Sequence, residues 1–417
     1  MKKILWLCNT LFSDTAITET GGWLQPLAVA LQQSGQVQIG NITFGHVTEV
    51  TRCNYNGIRQ WIIPFRKEKY YGQMPSTQTC RDIENIEKLF QPDLVHIWGT
   101  ENIWASVYQQ GYVNSPALID IQGLLFAIAD YYYGGLTFTE IIKTIRLKEI
   151  LMPWRTLFHK KKVFKKRGEV EIECLKSFKN ISVQSEWVRH HVLNINPDAS
   201  CYSTKIMLRE AFYGAEVWQY KKSDSPIIFS SCSGAVSYKG LHVLLKALAI
   251  LKRKYPAIKL NIAGTVNIGN KLLDGYSIFL KKLIKQMGLE NNVCYLGALN
   301  ANEIVDRLLN SNVCVIPSFV ETYCLAFAES MIVGTPTVVS YAGALPEFAV
   351  HNESAMYYNS SDYTMCATHI DQLIQDPEFA ALLSGNARKS RLKENNIQSV
   401  LDTQLRIYQS ILDCREK

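Results

Sequence analysis

Short apolar runs recur along this chain, with helix-periodic stretches between them. They fall at residues 4–8, 94–97, 117–121 and 181–184, then at 227–231, 260–263, 293–296, 313–316 and 337–340. An uninterrupted apolar run of that length reads as a strand covered on both faces, and strands joined through helices run parallel, because a parallel pair needs a long crossover. The pattern predicts an α/β protein with doubly wound, parallel sheets. A chain of 417 residues is too long for one ordinary core, so two domains of roughly 200 residues each are expected, dividing near Gly214. Beyond the second, Ile397, Leu401, Leu405, Tyr408 and Leu412 repeat at helical spacing.

Composition removes several classes of function. Asp120 and Asp130 interrupt the most apolar stretch, residues 117–133, which leaves no run of the roughly 18 residues that a spanning helix needs. The opening MKKILWLCNTLF has a short apolar core and no small-residue cleavage site, so it reads as a first buried strand and not as a secretory leader. Eleven cysteines are scattered singly, with no C-x-x-C pair. That usage fits a reducing cytoplasm, and neither a metal site nor a disulfide framework is expected. A net charge of +7, without a recognisable binding module, argues against nucleic acid as a partner.

In open parallel sheets, ligands sit beyond the carboxyl ends of the strands, so the loops after the runs are where chemistry is expected. After residues 227–231 comes CSGAVSYKGLHVLLKALAIL, which places Lys239 and Gly240 at a helix start. An ammonium beside exposed helix-end amides favours a phosphate; a solvated lysine at a turn glycine is the plainer alternative. After residues 313–316 comes PSFVETYCLAFAESM, where Glu321 precedes a helix and Glu329 lies within it, eight positions on. Buried carboxylates need partners. Either they accept hydrogen bonds from the hydroxyls of a nucleotide sugar whose diphosphate rests on the helix start, or Glu329 pairs with a basic residue of a neighbouring helix and Glu321 merely begins its own.

Residues 233–347 resemble the donor domain of the family 4 glycosyltransferases, which have the GT-B fold. Their Glu-x7-Glu motif is matched by Glu321 and Glu329, the preceding Pro-Ser by Pro317 and Ser318, and the following Gly-x-Pro by Gly334 and Pro336. Lys239-Gly240, Ala263-Gly264, Leu296-Gly297 and Gly343 to Glu347 fall in the family's order. The resemblance implies two Rossmann-like domains facing a cleft, residues 1–214 on the acceptor side and 215–395 for the donor, with a terminal helix, 396–417, crossing back to the first. By the same resemblance Glu321 would contact the donor sugar, Glu329 the ribose and Lys239 the diphosphate. The base would lie against Gly297, Ala298 and Leu299, while Thr322, Tyr323, Cys324 and Leu325 complete the donor contacts. Such enzymes retain anomeric configuration and need no divalent metal. The donor substrate would be a UDP- or GDP-sugar, with no separate cofactor. Glu321 and Lys239 are then the catalytic candidates, acting by electrostatics and positioning. Two features depart from the family. Gly234 stands where an arginine is usual, and Thr322 and Cys324 replace two glycines. They keep open a degenerate, sugar-nucleotide-binding subunit; an epimerase on the same fold would need an acid/base pair not found here.

The first half carries weaker signals. Gly21 and Gly22 precede a helix and would let a ligand approach the backbone; His96 and Gln122 end strands. These four are the acceptor or cleft candidates, although a plain turn and a structural histidine are the ordinary readings of the glycine pair and of His96. Residues 143–167, KTIRLKEILMPWRTLFHKKKVFKKR, are strongly basic with Trp154, Phe158 and Phe164 among them. Such a stretch can lie on an anionic membrane surface, or form a solvated basic helix on the first domain. The expected activity is transfer of a sugar to a glycan or lipid-linked acceptor for a cell-surface polysaccharide, in the cytoplasm or at the inner face of the membrane.

Overall fold

Every apolar run becomes a strand, and five further strands carry no such run. The computed structural model describes residues 1–14, 23–66, 74–232, 234–264 and 274–414. The first sheet contains β1 (Lys2–Leu7), β2 (Val37–Gly45), β3 (Thr51–Tyr55), β4 (Ile58–Pro64), β5 (Leu94–Trp98), β6 (Ala117–Asp120), β7 (Asn180–Val183) and β8 (Ser200–Ser203), in the order 3-4-2-1-5-6-7-8. All neighbours are parallel except the β3–β4 hairpin. The second sheet contains β9 (Ile227–Ser231), β10 (Lys259–Ala263), β11 (Val293–Gly297), β12 (Val313–Ile316), β13 (Thr337–Ser340) and β14 (Met356–Tyr358), in the order 11-10-9-12-13-14 and wholly parallel. The doubly wound expectation holds for both.

β1 shows how the first core is built. Side chains alternate across a strand, so Leu5 and Leu7 join one apolar cluster with Trp61, Phe90, Ile97 and Trp104, while Ile4 and Trp6 join another on the opposite face. The terminal helix Ile397–Asp413 closes the Trp6 face, burying Val400, Ile407, Tyr408, Ile411 and Leu412. Leu401 and Leu405 are only partly buried, so the contact stripe includes their neighbours and the helix is rotated from the expected register. Asn396 caps it by accepting the Ser399 amide at 2.9 Å.

The chain forms two units, the first of residues 1–127, 163–209 and 394 onward, the second of 128–162 and 210–393. Residues 128–162, expected within the first domain, therefore cluster with the second. Specific contacts hold them there: the Ser237 hydroxyl donates to the Tyr132 carbonyl, Lys246 pairs with Glu140 at 2.8 Å, and Lys160 pairs with Asp274 at 2.6 Å.

Candidate functional site

In the second sheet, successive connections run outward from β9 in one direction and from β12 in the other. The loops after these two adjacent strands therefore flank the switch point where open sheets bind ligands. Lys239 lies on the loop after β9, at the end of a short 3-10 turn; Glu321 lies on the loop after β12. Their side chains meet, with Lys239 Nζ 2.6 Å from Glu321 Oε1, and the Ser318 hydroxyl donates to the same oxygen at 2.6 Å. Only 22% of the lysine side chain and 11% of the glutamate remain exposed. Burial alone would lower the Lys239 pKa, but the Glu321 carboxylate outweighs it and raises the lysine above its ordinary value.

Backbone contacts fix that meeting. Phe319 N donates to Tyr238 O at 2.8 Å and joins the two loops. Gly240, at φ +71°, brings its α-carbon against the Pro317 carbonyl, where a Cβ would collide with backbone. Gly343, at φ +54°, does the same beside the Glu321 carbonyl, which also accepts the Ala344 amide at 2.9 Å. Lysine, carboxylate and loop are thus held by three segments distant in sequence. The pair offers an ammonium to an anion and carboxylate oxygens to hydroxyls, and a ligand that engages both must replace their mutual contact.

The other expected donor contacts surround this pair in varying degrees. Thr322 is buried, Tyr323 packs edge-on against Phe348 with ring centroids 4.9 Å apart, and Leu325 opens the helix Leu325–Val333. Glu329, the fifth residue of that helix, is buried. Gly297 ends β11 at φ +75°, with Ala298 exposed and Leu299 partly exposed after it. Of the two positions where glycine is usual, only Cys324 has a left-handed backbone, at φ +77°. Burial and Glu321 push its thiol well above the ordinary range, so it is not a ready nucleophile.

In the first unit one expectation is corrected. His96 lies in the core, fully buried: its ring packs 4.0 Å from that of Trp98, and its Nδ1 is 2.8 Å from the Tyr408 hydroxyl, which also accepts from Trp6 Nε1 at 3.1 Å. Burial drives its pKa well down, so the imidazole stays neutral and joins the terminal helix to the sheet instead of lining a ligand site. Gln122 sits just past β6, partly exposed and close to Gly99 and Glu101. Gly21 and Gly22 lie outside the described residues. The reading of the sequence missed three carboxylates nearby. Asp120 accepts from the Ser182 hydroxyl and Gln184 Nε2, each at 2.7 Å, and burial pushes it up to about 7. Glu101 is likewise pushed up to about 7 by burial, against the pull of backbone amides and Arg167. Glu171 is pushed up to about 8 by burial; it touches the Thr100 hydroxyl and accepts the Phe126 amide at 3.1 Å. Only Asp120 gave a signal, as an acid within an apolar run.

Comparison with known proteins bears on the second unit above all. Residues 215–390 match the family described as Glycosyl transferases group 1. An uncharacterised glycosyltransferase of Bacillus subtilis, YqgM, is 31% identical over 179 residues, 43% of this chain and 47% of that one. This chain spans about half the length, or less, of the curated relatives it matches. Among solved structures, sucrose-phosphate synthase of Thermosynechococcus elongatus is similar over 99% of this chain and 100% of that one, with TM-score 0.74 and 16% identity. Anabaena HepE in complex with UDP-glucose is similar over 99% of each chain, with TM-score 0.67 and 14% identity. At that identity the likeness is one of fold. Residues 215–390 accordingly form a glycosyl transferases group 1 domain, within a chain of GT-B fold.

Proposed function

We propose that this protein is a retaining, metal-independent glycosyltransferase that moves a sugar from a UDP- or GDP-sugar to a glycan or lipid-linked acceptor in cell-surface polysaccharide synthesis, working in the cytoplasm or at the inner face of the membrane. The observation that carries the reading is the Lys239–Glu321 pair at the switch point of the second sheet. In the reaction, an acceptor hydroxyl attacks the anomeric carbon as the bond to the diphosphate breaks, and its proton passes to the departing phosphate oxygen. Lys239 stabilises the growing negative charge on that leaving group, Glu321 orients the sugar through its hydroxyls, and Glu329 holds the ribose. The complex of Anabaena HepE with UDP-glucose supports a donor of this class.

The strained Cys324 and the absence of an arginine at Gly234 favour a second reading, a binding subunit without turnover. Incubating the protein with a panel of UDP- and GDP-sugars and assaying sugar transfer and nucleoside diphosphate release separates the two. Turnover should survive a chelator and fall at least a hundredfold in Glu321→Ala, consistent with a lost transition-state contact of about 3–4 kcal/mol. Nucleotide binding by the wild-type protein without any product would overturn the enzyme in favour of the subunit.

A further inference from the structure

Between the first unit's sheet strands β6 and β7 the chain makes the excursion 128–162, and one of its short helices is built inside out. Leu147–Leu151 is a single helical turn whose Leu147, Ile150 and Leu151 are 73%, 64% and 70% exposed, while its one acid, Glu149, is 1% exposed. Two arginines hold that carboxylate beneath the helix, Arg146 through Nε and Nη2 at 2.7 and 2.5 Å and Arg155 at 3.9 Å. Trp154, on the next turn, is also exposed, as are Phe138 and Phe158, whose rings lie 6.4 Å apart. A helix in a water-facing protein normally turns its acid out and its leucines in. Single apolar residues on a surface need no explanation, but seven of them, Phe138, Leu147, Ile150, Leu151, Met152, Trp154 and Phe158, exposed on consecutive elements mark a place where something apolar docks.

Charge identifies what docks. Several basic residues of this stretch are already engaged: Arg146 and Arg155 with Glu149, Lys160 with Asp274, and Lys161 over the Tyr133 ring at 4.5 Å. Lys143, Lys148 and Lys162 are exposed and have no acidic partner among the described residues. Exposed apolar side chains interspersed along the chain with unpaired lysines, with the acids Glu140 and Glu149 both drawn into internal pairs, match the boundary of an anionic bilayer, where acyl chains take the leucines and headgroups take the ammonium groups.

We infer that residues 138–158 form a plate by which the second unit inserts shallowly into an anionic membrane, through apolar burial first and charge second. This rests on the peripheral location in the reading above and deepens it: the membrane contact belongs to the unit that carries Lys239 and Glu321, and it is not a basic helix of the first domain held by charge alone. No transmembrane span is involved; among the described residues no helix is long and apolar enough to cross a bilayer.

The test uses the full chain and vesicles of phosphatidylcholine with and without phosphatidylglycerol, read by co-sedimentation. The wild-type protein should partition onto the anionic vesicles, and raised salt should weaken that partition without abolishing it. A paired Leu147→Glu and Ile150→Glu change should reduce it at least tenfold, and Lys143→Glu with Lys148→Glu by a smaller factor. If the variants fold poorly, brominated acyl chains give an independent measurement, since Trp154 should be quenched in the wild-type protein and the quenching should be lost in Trp154→Phe. Absence of wild-type binding to anionic vesicles overturns the inference. So does sizing in solution that shows a dimer dispersed by the Leu147/Ile150 change with no vesicle binding, which would make the plate a contact between copies. UDP binding by thermal shift, measured on the same proteins, separates this outcome from a failure of the donor reading, because it should be unchanged in the plate variants.

Discussion

Both sheets carry carboxylates, held out of solvent, beyond or at the carboxyl ends of their strands, and the two units settle the charge in opposite ways. In the second, Glu321 meets an ammonium and a hydroxyl, so the ionised form has a partner for its charge. In the first, Glu171 and Asp120 have hydrogen-bond donors and no salt bridge among the described residues, and burial holds their protons up to about neutrality, as it does for Glu101 against the pull of Arg167. The Thr100 hydroxyl lies against both Glu171 and the Gly123 carbonyl at 3.1 Å, and it has a single hydrogen to give. A protonated Glu171 donating to Thr100, which donates to Gly123, satisfies the whole chain. Equivalent ends of similar sheets thus yield an ion pair that a polar ligand can exploit and a neutral latch that serves the fold.

The sharpest way to break this contrast is to remove one partner of the ion pair. Lys239→Met leaves Glu321 in a largely buried place without a cation, and chemical denaturation should show a loss of about 3 kcal/mol, at the low end for a buried pair because some solvent still reaches it. Adding Glu321→Leu should restore most of that stability while UDP binding stays lost. Recovery of stability together with retained UDP binding would show the pair to be structural and would remove the basis for a donor site there.

Glu171 offers the opposite experiment. Its pKa is raised in the folded protein from about 4.5 to about 8, so the stability it confers is full below the unfolded value and is lost as pH climbs through the folded one. Glu171→Gln keeps a donor for Thr100 and an acceptor for Phe126 without a proton to lose. It should therefore stabilise the first unit at pH 9 by on the order of a few kcal/mol and leave it unchanged at pH 4. Thermal unfolding of both proteins across that range checks the sign; a variant that is less stable at high pH would mean that Glu171 is ionised and paired.

The same division governs how much could be read from the amino acids. Strands with an unbroken apolar run announce themselves whatever their burial, so five of the second sheet's six were expected, the partly exposed Val293–Gly297 among them, while the buried Met356–Tyr358 is too short to stand out. Strands at the margin of the first sheet do not: Thr51–Tyr55 is largely exposed and Ser200–Ser203 has no apolar run. The hairpin did leave a mark, since Asn56 and Gly57 both adopt left-handed backbone at φ 47° and 82°, the Asn-Gly signal of a tight β-turn. Lys239 and Glu321 were legible because each stands in a short loop directly after a strand. His96 misled because polarity in a strand is visible and its partner is not; Tyr408 lies 312 residues away. Residues 143–167 were legible as a basic stretch with aromatic residues in it, whereas exposure of Leu147, Ile150 and Leu151 depends on tertiary contacts that no local pattern records.

A smaller change probes the boundary between ligand site and fold within the second unit itself. Cys324 begins the helix Leu325–Val333 in a left-handed conformation that costs a residue bearing a Cβ about 1–2 kcal/mol. Thr322, the other position where glycine is usual, is not among the positive-φ residues, so replacing it gains nothing from the backbone. Cys324→Gly should relieve the strain, and the greater freedom of glycine in the unfolded chain offsets part of the gain, leaving a net stabilisation of about 0.5–1 kcal/mol. Thr322→Gly should instead destabilise by a similar amount. The two substitutions also differ at the ligand. A glycine at 324 would let a phosphate approach the backbone more closely at the first amides of the helix, Leu325 and Ala326, which by position lack intrahelical partners, so UDP should bind more tightly to Cys324→Gly and the gain should be absent from Thr322→Gly. Equal UDP affinity in the wild-type protein and Cys324→Gly, with the stability gain intact, would assign the cysteine to backbone strain alone and place the phosphate away from that helix end.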